Sequence, residues 1–273
     1  MSSSDIKRLC SLHDIQPSRS QGQNFLIDQN ILQKIIKTAD LKKDDIVLEV
    51  GAGLGVLTKA LAPLVKQVIA IEQDRELFKV LKEELKEFKN TELINNDVFK
   101  IDFTKLKSLK RDFKIVANIP YNITSMFIRN SLSLEPKSKE MTLLVQKEVA
   151  KRIMAQPGQM SLLAVSVQYY ASPKIIFLVK RNSFWPVPAV DSSILKITEI
   201  KKNQKEDKEF FQLVKIGFSS KRKQLQNNLA NGYGFSKEKA INLLKKGGFK
   251  PTVRAQELSI SDWLKLGLIV KKS

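Results

Sequence analysis

The sequence has little of the chemistry on which many enzymes depend, because its 273 residues include one cysteine, Cys10, and one histidine, His13. A single cysteine cannot form an internal disulfide, and a single histidine cannot supply a metal site built from several imidazoles. A Ser-His-Asp hydrolase would need His13, which lies in a polar N-terminal segment. No stretch approaches the roughly 18 consecutive apolar residues of a membrane span. The N-terminus also lacks the apolar run of a secretory signal, so we expect a cytoplasmic protein without a metal or a membrane partner.

Acidic residues are also scarce. The chain has 28 Asp and Glu against 47 Lys and Arg, which gives a formal net charge of +19. Residues 201–273 contain 17 of the basic side chains but only 6 of the acidic ones. An excess of positive charge favours a polyanionic partner, and we expect nucleic acid rather than an acidic membrane surface. A lysine-rich composition that serves solubility alone is the alternative.

Helical and strand patterns alternate through the first two thirds of the chain. The predicted helices are 30–39, 55–64, 75–88 and 147–155. The predicted strands are 46–50, 67–71, 92–95, 114–117 and 142–146, followed by two antiparallel edge strands at 175–179 and 192–197. Strands that alternate with helices are typical of a parallel sheet covered by helices on both faces. We therefore predict an α/β fold.

A polar, charged stretch at 201–208 ends this alternation and is the predicted linker. After it come only helical patterns, at 209–218, 222–229, 237–246 and 261–268. We predict three parts: an N-terminal segment, 1–28, a catalytic domain, 29–200, and a small, basic, all-helical domain, 201–273.

A glycine-rich loop with the sequence EVGAGLG (49–55) follows the first predicted strand. Glycine lets the backbone turn tightly and lets a ligand approach it without a Cβ clash. The spacing E-x-G-x-G-x-G differs from the G-x-G-x-x-G fingerprint of dinucleotide sites. A pyrophosphate is therefore not the ligand that this loop fits best.

Two acids follow the next two predicted strands. Glu72 comes 21 residues after Gly51, at a strand end where a carboxylate can accept hydrogen bonds from both hydroxyls of a ribose. Asp97 follows the third strand, where it could meet the exocyclic amine of adenine. Ligands of open α/β sheets bind at the carboxyl ends of the strands. The glycine-rich loop, Glu72 and Asp97, in this order, are therefore a more specific signal of a ligand site than any one of them alone. The set resembles S-adenosylmethionine-dependent methyltransferases, which implies that Gly51 and Gly53 hold the methionine part, Glu72 the ribose and Asp97 the adenine.

The fourth predicted strand runs into the turn Asn118-Ile119-Pro120-Tyr121. An adenine amine is a poor nucleophile because its lone pair is delocalised into the ring, and acceptors aimed at its two protons can free that lone pair. Asn118 offers a side-chain carbonyl, and Ile119 offers a backbone carbonyl in a turn fixed by Pro120. Tyr121 offers a flat face on which an extruded base can stack. With this turn the sequence resembles the adenine amino-methyltransferases, for which neutral acceptors suffice and no general base is obligatory.

Further segments resemble the ribosomal RNA adenine dimethyltransferases, in particular the KsgA-type enzymes of the small subunit. The segments are QGQNFLID (21–28), QKEVAKR (146–152), FWPVPAVDS (184–192), FSSKRKQLQNNL (218–229) and RAQELS (254–259). The resemblance implies that Asn24 and Leu26 contact the cofactor together with Asn118, and that Phe184 lies on the other face of the target base. The residues expected to bind RNA are Lys221, Arg222, Lys223 and Arg254.

The resemblance implies a Rossmann-like methyltransferase sheet with a small C-terminal all-α domain. The implied activity is dimethylation of the exocyclic amines of two adjacent adenosines in the 3′-terminal hairpin of small-subunit (16S) ribosomal RNA, in ribosome biogenesis. We expect a monomer that uses S-adenosylmethionine and binds this RNA or the pre-small ribosomal subunit. One alternative is a large-subunit (23S) adenine methyltransferase of the macrolide-resistance type, which the helical C-terminal part disfavours. The other is a non-catalytic RNA-binding assembly or transcription factor, against which Glu72, Asp97 and Asn118 argue together.

Overall fold

The computed structural model describes residues 3–18, 21–109, 112–202, 207–271 and 273. The helices in this part of the chain are α1 Ser3–Leu12, α2 Gln29–Ala39, α3 Val56–Leu61, α4 Arg75–Glu84, α5 Thr124–Ser131, α6 Lys147–Ile153, α7 Leu162–Tyr170, α8 Asp207–Gly217, α9 Leu225–Tyr233, α10 Lys237–Lys246 and α11 Ile260–Lys271. The strands are β1 Phe25–Leu26, β2 Ile46–Val50, β3 Gln67–Glu72, β4 Thr91–Asn95, β5 Phe113–Asn118, β6 Ser138–Gln146, β7 Ser172–Val179, β8 Phe184–Trp185 and β9 Ser192–Thr198. Among the described residues, no helix is long and apolar enough to cross a membrane.

The described strands form a seven-stranded sheet in the order β4-β3-β2-β5-β6-β9-β7 and a small sheet of β1 and β8. The pairs from β4 to β6 are parallel, whereas β9 pairs antiparallel with both β6 and β7. The α/β fold class and the parallel sheet are confirmed. The prediction of two edge strands was wrong for β9, which lies inside the sheet, because β7 pairs with it and forms the edge.

The strand order places a crevice beside β2. The chain runs from β2 outward to β3 and β4, and then returns to add β5 on the other side of β2. At such a switch point the loops after the two strands diverge and leave room for a ligand. All five side chains of β2 are buried, as expected for a strand covered on both faces.

The segment before α2 is tied to the chain near β8. Phe25 and Leu26 of β1 pair with Trp185 and Phe184, and Ile27 N donates to Ser183 O at 2.9 Å. The Asp28 carboxylate caps α2 by accepting from Asn30 N, and it also accepts from Ser183 Oγ at 3.0 Å. These bonds fix the QNFL segment over the crevice.

The described residues fall into two compact units, one of residues 1–150 with 172–200, the other of residues 151–171 with 201–273. The predicted division at residue 200 coincides with one of these boundaries, but residues 151–171 were predicted to belong to the catalytic domain. The difference arises because α7 packs its apolar side chains into the core of the second unit, where Ala164 and Val165 belong to the same hydrophobic cluster as residues of α8 to α11. Of the predicted linker, residues 203–206 lie outside the described part of the chain.

Candidate active site

A cavity of about 180 Å³ opens where β2, β3 and β5 end. Its wall includes most of the residues predicted for the cofactor and for the reaction. These are Asn24, Leu26, Gly51, Gly53, Glu72, Asn118, Ile119, Pro120 and Tyr121. Residues that are far apart in the sequence therefore face one shared space.

The glycine-rich loop bends through three residues with positive φ, of which Gly51 has 73° and Gly53 has 57°. Gly51 N donates to Ile71 O of β3 at 2.9 Å, which fastens the loop to the neighbouring strand. A Cβ at Gly51 would lie 2.8 Å from Pro120 Cδ, closer than side-chain carbons approach. Only glycine fits at residue 51, because of its positive φ and the nearby ring of Pro120. The glycine-rich loop therefore packs directly on the Asn118–Tyr121 turn.

Glu72 is held in a fixed orientation at the wall of the cavity. Its Oε2 accepts from Gly53 N at 2.7 Å, its Oε1 accepts from Asp74 N at 2.9 Å, and the residue is 7% exposed. Burial raises the pKa of this carboxyl above its usual range, and the two backbone donors work against that rise. Each oxygen keeps a further lone pair for a ligand.

Glu49 also lines the cavity, and sequence reasoning assigned it no role. It is 1% exposed, and its Oε2 has no hydrogen-bond partner among the described residues. Burial raises the pKa of Glu49 to about 8, opposed by the Thr58 hydroxyl and assisted by the charge of Glu72. An acid inside an otherwise apolar strand was the signal that could have identified it.

Asn118 ends β5 with its side chain pointing into the cavity. Its Nδ2 donates to Asn24 O at 3.0 Å, so the donor end of the amide is occupied and Oδ1 is left as an acceptor. The following turn is held by Ile119 N, which donates to Leu144 O, and by Thr124 Oγ1, which donates to Pro120 O. The main chain of the turn is therefore held on both sides of Ile119, and the role of the Ile119 backbone oxygen as an acceptor stays a prediction.

Tyr121 is anchored at both ends. Its hydroxyl and that of Ser192, the first residue of β9, share a hydrogen bond of 2.6 Å. At the other end, a Cβ at Gly22 would lie 2.9 Å from Tyr121 N, so the loop that contains Gly22 packs closely on the tyrosine backbone. Burial raises the pKa of the phenol, against the effect of the Ser192 hydroxyl.

Two predicted site residues lie away from the cavity. Asp97 follows β4 at the edge of the sheet, and its Oδ1 accepts from Phe99 N and caps a short 3₁₀ turn. Phe184 is 0% exposed and packs in the main core, while the next residue, Trp185, stacks on Phe25 at 6.5 Å. Contact of Asp97 with an adenine and of Phe184 with a base stay predictions, and the second would require the ring to leave the core.

The basic residues predicted to bind RNA lie in the second unit. Lys221, Arg222 and Lys223 are exposed on a turn before α9, which begins at Leu225 and not at 222 as predicted. Leu225 N donates to Val253 O at 2.8 Å, so this turn lies beside the loop that carries the exposed Arg254. The four cations therefore occupy two adjacent loops of the same unit.

A family model described as ribosomal RNA adenine dimethylase matches residues 16–272. The chain belongs to this family. Ribosomal RNA small subunit methyltransferase A of Dehalococcoides mccartyi is 40% identical over 96% of this chain and 91% of that protein. The protein of the same name from Clostridium botulinum is 40% identical, over 96% and 97%.

Two solved structures are similar along most of the chain. A dimethyladenosine transferase from Plasmodium falciparum is 31% identical with a TM-score of 0.75, covering 91% of this chain and 98% of that one. The 23S rRNA methyltransferase ErmE is 27% identical with a TM-score of 0.70, covering 91% and 100%. Membership of the dimethylase family confirms the predicted enzyme class, an S-adenosylmethionine-dependent adenine dimethyltransferase of ribosomal RNA.

The cavity of this family member fits S-adenosylmethionine. The glycine loop leaves a cradle that Cβ atoms would fill, since a Cβ at Gly53 would come within 3.1 Å of the Phe25 ring. Beside the cradle lie two buried carboxyls, those of Glu49 and Glu72, which suit the cationic and hydroxylated parts of that molecule.

Proposed function

We propose that this enzyme dimethylates the exocyclic amines of two adjacent adenosines in the 3′-terminal hairpin of small-subunit (16S) ribosomal RNA. The observation that carries the proposal is that Glu72 and Asn118 line one cavity, with Gly51 packed on Pro120 between them. We propose that a donor held beside Glu72 and a base held beside Asn118 meet in this shared cavity.

The cofactor contacts follow from the cavity wall. Gly51 and Gly53 hold the methionine part, the Glu72 carboxylate accepts from the ribose hydroxyls, and Asn24 and Leu26 cover the bound molecule. S-adenosylmethionine supplies an activated methyl group when it is bound. The prediction that Asp97 contacts the adenine belongs to the same proposal, although Asp97 lies outside the cavity wall.

Asn118 and Ile119 prepare the target amine. Its two protons point at Asn118 Oδ1 and at the backbone oxygen of Ile119, which draws the nitrogen out of conjugation and exposes its lone pair. The bond from Asn118 Nδ2 to Asn24 O holds the amide with Oδ1 toward the base before any RNA arrives. Tyr121 supplies a stacking face for the extruded adenine, and an aromatic stack of this kind contributes about 1–3 kcal/mol per base.

The second unit carries the contacts that recognise the RNA as a polyanion. Lys221, Arg222, Lys223 and Arg254 are exposed on adjacent loops, where each can neutralise a backbone phosphate. We propose that the enzyme acts as a monomer on the pre-small ribosomal subunit, in the cytoplasm.

Large-subunit ribosomal RNA is the second candidate substrate, and the observation that favours it is the structural similarity to ErmE. The small subunit is favoured more strongly. Relatives named for small-subunit methylation are 40% identical over 96% of the chain, against 27% for the large-subunit enzyme.

The test is incubation of the protein with isotopically labelled S-adenosylmethionine and separated small and large ribosomal subunits from a strain that lacks these methyl groups. We expect label in the small-subunit RNA, recovered as dimethyladenosine from the 3′-terminal hairpin. Label confined to the large subunit would support the second candidate, and label in neither would refute the proposed activity.

A further inference from the structure

We propose that Ser192 is a positioning residue for methyl transfer, because its hydroxyl orients the ring of Tyr121 on which the target adenine stacks. This inference rests on the proposed function. It assigns a role to the first residue of β9, which does not line the cavity.

The hydrogen bond that carries the inference joins a ring at the cavity to a rigid part of the sheet. Tyr121 Oη and Ser192 Oγ are 2.6 Å apart, the ordinary distance for two hydroxyls. Ser192 is 0% exposed and begins β9, where it pairs with Gln146 of β6 and Val179 of β7. The position of its hydroxyl is therefore set by backbone pairing on both sides.

The corner that contains Ser192 is held from outside the sheet as well. The preceding residue, Asp191, accepts from Arg181 N at 3.1 Å through its side chain and from Lys147 N at 3.0 Å through its backbone oxygen. Ser192 thus has little freedom to follow the tyrosine. A displaced ring would have to break the hydroxyl bond.

Among the described residues, Tyr121 makes the hydrogen bond of its ring to Ser192. Its backbone is fixed by the close packing of Gly22 and by the turn in which Ile123 N donates to Pro120 O at 3.1 Å. These contacts hold the main chain. The hydroxyl bond fixes the position of Oη and with it the direction of the ring's long axis, so the stacking surface is in place before the base arrives. Preorganisation of this kind lowers the entropy lost on reaching the reactive geometry.

The chain offers a matched control in the next residue. Ser193 is also 0% exposed, but its hydroxyl has no hydrogen-bond partner among the residues that the structure describes. Ser193→Ala removes a buried hydroxyl from the same strand without removing a bond to the tyrosine. Comparison of the two alanine variants separates loss of a buried polar atom from loss of the bond to Tyr121.

The experiment measures methylation of unmethylated small ribosomal subunits by the full chain, with Ser192→Ala, Tyr121→Phe, the double variant and Ser193→Ala. Losing one hydrogen bond corresponds to about a 3- to 10-fold fall in rate. We expect Ser192→Ala and Tyr121→Phe each to lower kcat by this factor, and the double variant to be no slower than either. KM for the subunit should change less than kcat. Cofactor affinity, measured by calorimetry without RNA, should stay unchanged.

Ser193→Ala should retain the wild-type kcat, although it also removes a buried hydroxyl from β9. Equal kcat for wild type, Ser192→Ala and Tyr121→Phe would overturn the inference while leaving the proposed function intact. Multiplicative losses in the double variant would overturn it too, because the two hydroxyls would then act independently. Tyr121→Phe removes the same bond without touching the core, so the inference can be refuted even if Ser192→Ala does not fold. Absence of methylation by wild type would refute the proposed function itself.

Discussion

Glu49→Gln is expected to stabilise the cofactor-free protein, and increasingly so as the pH rises. The buried carboxyl has a pKa of about 8 in the folded chain against 4.5 for an unperturbed glutamate. Below about pH 4.5 the Glu49 carboxyl is protonated in both the folded and the unfolded protein, so folding does not bury a charge there. Between pH 4.5 and 8 the unfolded chain releases the proton while the folded chain keeps it, so stability falls as the pH rises. The full difference corresponds to about 4–5 kcal/mol, reached above pH 8.

Urea unfolding at pH 5 and pH 8.5, without cofactor, measures this effect. The glutamine is neutral at both pH values and has nearly the same shape as the glutamate. The difference in the free energy of unfolding between variant and wild type should therefore grow by roughly 3–4 kcal/mol from pH 5 to pH 8.5. Glu87→Gln is the matched control for the substitution itself, because Glu87 is exposed. A pH-independent effect of Glu49→Gln would contradict the reasoning. So would destabilisation at pH 8.5, since it would mean that the folded protein stabilises the charged carboxylate.

Three other substitutions test the cavity and the basic loops. Asn118→Ala should abolish methyl transfer and leave RNA binding nearly intact, because it removes an acceptor for the target amine; a variant that methylates at the wild-type rate would contradict the acceptor role. Glu72→Ala should weaken cofactor binding by about 1–3 kcal/mol in calorimetry, the cost of losing charge-assisted hydrogen bonds, and unchanged affinity would exclude the ribose contact. Neutralising Lys221, Arg222 and Lys223 together should lower RNA affinity and reduce its salt dependence by up to about three phosphate contacts, whereas an unaltered slope would mean that these charges face solvent.

Helices and strands could be predicted from the sequence where the local residue pattern fits only one kind of secondary structure. Strand β2, Ile46–Val50, has the predicted bounds because an apolar run between Asp45 and Gly51 leaves no room for a helix. Helix α10 also has the predicted bounds, since Ser236 caps its start. Helix α7 was not predicted, because Leu162–Tyr170 is apolar almost all round and shows no helical period. Its packing inside the second unit decides its conformation, and that information is not local.

The residues of the cavity could be predicted from the sequence where the order of the strands alone determines their position. Glu72 and Asn118 end strands on either side of β2, so parallel pairing brings both to one crevice. Asp97 ends the edge strand β4, and the sequence does not reveal that its carboxylate turns to cap the next residues. Phe184 pairs with Leu26, and only this register shows that its ring enters the core. Ser192 ends the FWPVPAVDS segment, but that pattern does not reveal its bond to the tyrosine, which depends on the folded corner.

The proposed activity requires that one cavity bring a methyl donor and an adenine amine together. Mass spectrometry of the 3′-terminal fragment of unmethylated small-subunit RNA tests this, after incubation with S-adenosylmethionine and either wild type or Asn118→Ala. We expect wild type to convert two adjacent adenosines to dimethyladenosine and the variant to leave both unmodified. Unmodified adenosines with wild type, or dimethyladenosine at the wild-type rate with the variant, would contradict this expectation.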